Sequence, residues 1–190
     1  MKKVLLVAWL LLASSAFAEG TFKVKLDTTA GPIIIEVHRA WAPIGAARFE
    51  ELVKAGFFDG ARFFRVVPGF MAQFGINGNP AVQKKWSNAN LRDEPVKTSN
   101  SRGTLAYGQI GGKPNTRSTQ VFINYKENGF LNRDFAPFAK VISGMEFVDK
   151  LYSTYGEKSN NQAMIESQGN AYLTKNFPKL DYIKKATIEK

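Results

Sequence analysis

The stretch from Phe63 to Gly75, Phe-Phe-Arg-Val-Val-Pro-Gly-Phe-Met-Ala-Gln-Phe-Gly, constrains the fold more than any other part of the chain. Two short apolar runs flank Val66-Val67-Pro68-Gly69, a bend that suits a hairpin. Each run carries one polar interruption, Arg65 before the bend and Gln73 after it. Strands folded about that bend bring a cation, an amide and the side chains of Phe70 and Met71 onto one surface. Such a surface suits an uncharged, partly apolar ligand such as a peptide better than a phosphate or a metal. On these residues alone, a core hairpin with one snorkelling arginine is an equal alternative.

The rest of the chain supplies partners for such a hairpin. Phe22 to Asp27 alternates apolar with polar, Thr29-Ala30-Gly31-Pro32 is turn chemistry, and Ile33 to His38 reads as a second strand. Pro43 opens a helix to about Ala55, with Phe49, Leu52 and Val53 at i, i+3 and i+4 and Gly56 as its C-cap. A strand is expected over Arg62 to Val67. From Asn77 to Arg102 the pattern dissolves into a long polar loop, of the kind that is usually functional. Strands follow at Gly103 to Tyr107, Thr119 to Ile123 and Phe138 to Ile142, with Gln120 and Phe122 on one face. Gly144 to Leu151 reads as a short helix, Ser153 to Gly169 as irregular, Asn170 to Asn176 as one or two helical turns, and Leu180 to Ile188 as a final strand. Several short strands with two helices predict a closed or nearly closed β-barrel capped by helices.

The first eighteen residues stand apart. Lys2 and Lys3 precede an unbroken apolar run from Val4 to Leu12, and Ala16-Phe17-Ala18 has the small residues of a cleavage site. The run is too short to span a bilayer, so no stable membrane insertion is expected. The organisation is thus a signal peptide over 1–18, cut after Ala18, and a single domain over 19–190, delivered to the periplasm or secreted. The chain has no cysteine, which removes disulfides, thiolate metal sites and thiol nucleophiles. Without Lys2 and Lys3 the formal net charge of +10 drops to +8, but the basic residues are scattered singly or in pairs. That distribution indicates a solvated basic surface and no nucleic-acid site.

His38 is the only histidine, at a strand end. With no second histidine, serine-histidine hydrolases and histidine-ligated zinc enzymes are excluded. Gly111-Gly112-Lys113-Pro114 resembles a phosphate loop superficially, yet Lys113 is followed by proline and Tyr107 stands where the earlier glycine belongs. Neither a metal nor any other cofactor is expected.

With these pieces in order, one family comes into view. Phe58-Asp59-Gly60 leading into Phe64-Arg65-Val66-Val67-Pro68-Gly69-Phe70-Met71-Ala72-Gln73 resembles the signature of the cyclophilins, the peptidyl-prolyl cis-trans isomerases. Pro114-Asn115-Thr116 with Thr119-Gln120-Val121-Phe122-Ile123 resembles the family's central motif, and Phe130-Leu131 with Phe138-Ala139-Lys140-Val141 the segment after it. The similarity runs from about Phe22 to Tyr152.

The resemblance implies a mainly β fold, a closed eight-stranded antiparallel barrel with a helix at each end. It implies prolyl isomerisation during the folding of exported proteins, on proline-containing polypeptides, by a monomer. Carried over by position, Arg65 is the catalytic arginine, and Gln73 joins it in holding the substrate backbone, as does Gln120. Phe70, Met71, Phe122 and Leu131 form the proline pocket; Gly108 and Gln109 meet the residues before the proline. Phe130 stands where many members carry tryptophan, which implies weak cyclosporin binding, and Phe135 stands where many carry a rim histidine. Phe74 replaces a glycine after Gln73, and the loop holding Gly111 and Gly112 is about two residues longer than usual. The chemistry agrees with what the chain lacks, because amide rotation breaks no bond and needs no nucleophile, metal or acid-base pair. A guanidinium also stays charged at any working pH, so a flat profile near neutrality is expected.

Overall fold

The computed structural model describes residues 20–111 and 113–189, and there the alternation at the start of the domain becomes a two-sided ladder. Val24 and Leu26 of β1 (Thr21–Thr28) are buried opposite Ile35 and Ile33 of β2 (Pro32–His38), while Lys23 and Lys25 stand on the other face. Apolar pairs facing each other across an antiparallel register are what fixes that register. The remaining strands are β3 (Arg65–Val67), β4 (Met71–Phe74), β5 (Thr104–Tyr107), β6 (Val121–Asn124), β7 (Pro137–Ser143) and β8 (Ile183–Glu189). Among the described residues they form one antiparallel sheet in the order β3-β4-β6-β5-β7-β2-β1-β8.

The sheet wraps around a core in which aromatic rings do much of the filling. Helix α1 (Pro43–Lys54) buries Phe49, Leu52 and Val53, the stripe expected of it. The Phe49 ring lies 5.3 Å from Phe58 and 5.1 Å from Phe138, and Phe74 meets both Phe58 and Phe63. Ala42 offers α1 no side-chain cap. Glu94, far along the chain, does so instead, accepting from the Ile44 and Gly45 amides at 2.6 and 3.0 Å. A carboxylate suits the positive end of a helix. The same carboxylate accepts from the buried Arg117 at 3.1 Å, and Arg117 also donates to the Arg92 carbonyl.

The closed barrel expected from the sequence is not found: the sheet is an open half-barrel. β3 and β8 are its two edges, and no ladder joins them. What links them is a single bridge, Arg62 to Tyr182, ahead of each strand, with the Phe63 amide donating to Asp181 and the Ile183 amide to Ala61, both at 2.9 Å. The expected strand from Arg62 shrinks to three residues, with Arg62 itself left in an isolated bridge and Phe63 and Phe64 packed on opposite sides between them. Phe63 enters the main core, whereas Phe64 packs with Ile76, Ile165, Leu173 and Leu180.

One further helix lies where the sequence reads as loop, and another extends well beyond the turns expected of it. α2 (Pro80–Ser87) hides in the polar stretch after Asn77 because its core-facing side is only the half-buried pair Val82 and Trp86 with the buried Gln83, too short a pattern to read as a period. Its start was legible: Asn79 caps the helix, accepting from the Ala81 amide at 2.9 Å, with proline next in line. α4 (Gln162–Asn176) begins eight residues before the helix expected from Asn170, and α3 is only Met145–Val148. Gly169 interrupts α4 with φ 60 and ψ −142, and Ile165 and Leu173 on either side enter the second cluster. The apolar spacing is therefore split by a kink and reads as no period at all. The expected signal peptide over 1–18, with its cleavage after Ala18, lies outside the described residues. None of the described helices is long and apolar enough to cross a membrane.

Candidate active site

The site begins with the hairpin. Phe70 donates its amide to the Val67 carbonyl at 3.0 Å, and Gly69 holds φ at 72, as the third residue of a type II turn with proline before it requires. This turn sets the register that places Arg65 opposite Gln73 and Val67 opposite Met71. The row continues across the sheet, with Gln73 opposite Phe122 on β6 and Phe122 opposite Ala106 on β5. Residues directly opposite in a sheet share a face. Arg65, Gln73, Phe122 and Ala106 therefore stand in one line on the face turned away from the main core, whose side of these strands is Val66, Ala72, Phe74, Val121, Ile123, Leu105 and Tyr107.

On that outer face a second, smaller apolar layer forms. Met71, Ala106, Phe122 and Leu131 are buried together, with Val67, Phe70 and Phe135 packed against them. Phe135 meets Phe122 edge-on, centroids 5.7 Å apart. Leu131 sits in a 3-10 turn (Gly129–Arg133) held by buried asparagines. Asn128 donates to the Phe70 carbonyl at 2.9 Å and to Asn124 at 2.8 Å, and Asn100 receives from Asn124 while donating to Asn132 and to the Phe135 carbonyl. The network is almost fully paired, so it fixes where the pocket's aromatic and aliphatic walls stand.

The result is a cleft of about 370 Å³. Of the residues expected at the site, it is lined by Arg65, Phe70, Met71, Gln73, Gly108, Gln109, Gln120, Phe122, Leu131 and Phe135. Phe130 is not brought in. It is 71% exposed and stacks on the outside of Phe70, centroids 5.9 Å apart, because it is the outward residue of the turn whose inward residue is Leu131. The rim beside Gly108 also includes Ile110, Thr116 and Ser118, which sequence reasoning did not single out. That rim is tied down by Arg117 and by a pair of contacts between Asn115 and Asp93, at 2.8 and 2.9 Å. Gln109 lines the cleft, and its side-chain oxygen is buried with no hydrogen-bond partner among the described residues.

Arg65 is held from two sides. Its Nη1 donates to Gln73 Oε1 at 3.3 Å, and its guanidinium lies 5.8 Å from the Phe70 ring centroid. Its other edge, Nε and Nη2, is taken by Glu157 at 2.6 to 3.0 Å. Gln162 lines the cleft as well. Both residues belong to the segment the sequence shows only as irregular polar chain. The hydrogen bond from Arg65 holds the Glu157 carboxyl below the usual glutamate range, against a smaller opposing effect of burial. With its cation paired, the cleft is electrically neutral, apolar at one end and lined with amides at the other. It suits an uncharged backbone next to a small apolar ring. His38 lies elsewhere, stacked on Trp41 at the end of β2. No cluster of metal-ligating side chains occurs among the described residues.

The profile of the family described as "Cyclophilin type peptidyl-prolyl cis-trans isomerase/CLD" matches residues 22–169. A protein of Acinetobacter baylyi named peptidyl-prolyl cis-trans isomerase is 38% identical over 170 residues, covering 84% of this chain and 89% of its own length. Peptidyl-prolyl cis-trans isomerase A of Dickeya dadantii is 38% identical over 144 residues, covering 73% of this chain and 75% of its own. A crystal structure of a cyclophilin type peptidyl-prolyl cis-trans isomerase from Cryptosporidium parvum superimposes with a TM-score of 0.68 at 23% identity, over 90% of this chain and 99% of that one. Another, determined in the presence of the dipeptide Ala-Pro, gives 0.67 at the same identity, over 88% and 99%. At that identity the likeness concerns the fold.

Proposed function

The chain belongs to the cyclophilin-type peptidyl-prolyl cis-trans isomerases, and from that premise we propose that it accelerates rotation about X-Pro bonds in exported polypeptides as they fold, with Arg65 as its catalytic residue. The observation that carries this reading is the single row that sets the Arg65 guanidinium beside the Met71, Phe122 and Leu131 wall.

An X-Pro bond is a tertiary amide with a rotational barrier of roughly 18–20 kcal/mol, and its free exchange takes tens to hundreds of seconds. Millisecond exchange needs about 10⁵-fold, or roughly 7 kcal/mol. As the amide twists, its nitrogen loses conjugation and gains a lone pair. A guanidinium N–H aimed at that nitrogen makes a hydrogen bond that exists fully only in the twisted state, so it stabilises the transition state above the ground state. One charge-assisted hydrogen bond contributes about 1.5–3 kcal/mol. Fixing the ring in a dry pocket while Gln73 and Gln120 hold the flanking backbone supplies the rest.

The site chemistry fits proline-containing polypeptides, the class to which the Ala-Pro dipeptide of the Cryptosporidium structure belongs. Export is supported by the lysine pair, the apolar run and the small-residue site of the first eighteen residues. The exposed Phe130 offers no indole N–H, so cyclosporin binding is weak. Exchange NMR on an Ala-Pro peptide tests the activity without a coupling protease. Accelerated exchange supports the isomerase, whereas bound peptide with no acceleration makes the protein a proline-binding module. Mass spectrometry of the chain from the exported fraction tests the address: it should begin at Glu19, and an intact Met1 in the cytoplasm overturns export.

A further inference from the structure

The segment that sequence reasoning left without a role closes a ring of side chains around the catalytic arginine. Arg65 Nη1 donates to Gln73 Oε1 at 3.3 Å, and Gln73 Nε2 donates to Gln120 Oε1 at 2.8 Å. Gln120 Nε2 donates to Gln162 Oε1 at 3.0 Å, and Gln162 Nε2 to Asn160 Oδ1 at 3.2 Å. Asn160 Nδ2 donates to Glu157 Oε2 at 3.3 Å, and Glu157 accepts from Arg65 Nε and Nη2, which closes the circuit. We propose that Glu157, Asn160 and Gln162 are positioning residues of the isomerase, which fix the Arg65 guanidinium and the Gln73 and Gln120 amides in the orientation that a peptide substrate meets.

The sense of the ring follows from its two ions. A guanidinium only donates and a carboxylate only accepts, whereas each amide can do both. Starting from Arg65, every amide must turn its oxygen toward the guanidinium side and its NH₂ toward the carboxylate side. A flipped amide anywhere would set oxygen against oxygen and nitrogen against nitrogen at both of its contacts. One arginine and one glutamate therefore dictate the polarity of four amides, two of which stand where the substrate backbone lies. Glu157 also occupies a whole edge of the guanidinium, so only the Nη1 side is presented to the cleft.

The fold couples this ring to the strands beneath it. Glu157 and Asn160 come from a 3-10 turn (Gly156–Ser159) and the residue after it, and Asn161 caps α4 by accepting from the Met164 amide at 3.2 Å. Ile165 of α4 packs in one buried cluster with Phe64 and Ile76. Phe64 immediately precedes Arg65, and Ile76 follows β4, the strand of Gln73. The same contact thus clamps α4 and both catalytic strands.

This inference rests on the isomerase reading and is tested separately from it by comparing Glu157→Ala, Glu157→Gln and Gln162→Ala with the parent. The measurements are exchange NMR on an Ala-Pro peptide, the ¹⁵N signal of Arg65 Nε–H, and a thermal melt. Glu157 is 57% exposed, so its removal should leave the melt unchanged. Glu157→Ala should lower kcat by about tenfold with peptide affinity little changed, and should shift and broaden the Arg65 Nε–H signal. Glu157→Gln, which keeps an acceptor, should recover part of the loss, and Gln162→Ala combined with Glu157→Ala should lose little more than Glu157→Ala alone. An active parent whose Glu157→Ala variant is equally fast or faster overturns the positioning role while leaving the enzyme intact. An inactive parent overturns the isomerase reading itself.

Discussion

At the scale of single residues, the proposed mechanism separates binding from chemistry within the cleft. Phe122 supplies the pocket wall and the edge on which Phe135 rests, so Phe122→Ala should weaken peptide binding. Losing the burial of a ring-sized surface costs about 1.5–3 kcal/mol, or roughly 10- to 100-fold in affinity by NMR titration; unchanged affinity would place the proline elsewhere. Glu157 gives the site its pH sensitivity. Its carboxyl is held low by Arg65, the cation facing it from β3, while the neighbouring Lys158 is exposed. A lowered folded-state value means the ion pair is fully present above the ordinary glutamate range and is lost as pH falls through that lowered value. Activity should therefore stay level through neutrality and through the ordinary glutamate range, declining only in stronger acid, and the Glu157→Gln variant should lack that decline. Arg65 and Gln73 were legible because a two-residue period about Pro68-Gly69 puts them face to face. Glu157 was not, because 92 residues separate it from Arg65 and nothing in its own neighbourhood has a period.

Among the elements, strands were readable and the helices that pack on their flank were not. The β1–β2 hairpin and α1 announce themselves by buried stripes at periods of two and of three to four. α2 buries a glutamine and α4 is kinked, so neither carries such a stripe. The kink is a structural joint. Gly169 adopts a backbone conformation that side chains disfavour, its amide neighbour Asn170 donates to the Gly78 carbonyl at 2.9 Å, and an added Cβ would overlap that carbonyl. Gly169→Ala should cost about 2–3 kcal/mol in urea unfolding, and should also slow catalysis by displacing Gln162. Equal stability would show that the two halves of α4 are not locked against Gly78. The expected barrel closure failed at the same flank, where Phe64 leaves the sheet to join the cluster beneath α4.

At the scale of the whole molecule, the open sheet carries two apolar layers on opposite faces, the main core and the smaller layer that lines the candidate cleft. Phe49 belongs wholly to the first. Phe49→Ala should destabilise the protein by about 3–5 kcal/mol, yet leave kcat/KM per folded molecule unchanged below the melting transition. A proportional loss of activity in fully folded protein would mean that core and cleft are coupled. The fold class was legible from short alternating runs and turn residues, but openness was not, because it depends on a bridge between Arg62 and Tyr182, 120 residues apart in the numbering. What joins the scales is the claim that one guanidinium, aimed by its surroundings at a twisting amide, performs the catalysis. The most direct measurement is exchange NMR of an Ala-Pro peptide with Arg65→Ala beside the parent. Exchange should fall by at least about tenfold, the value of one charge-assisted hydrogen bond, while peptide affinity stays within about threefold. Exchange as fast as the parent's, with the peptide still bound, would contradict a catalytic Arg65.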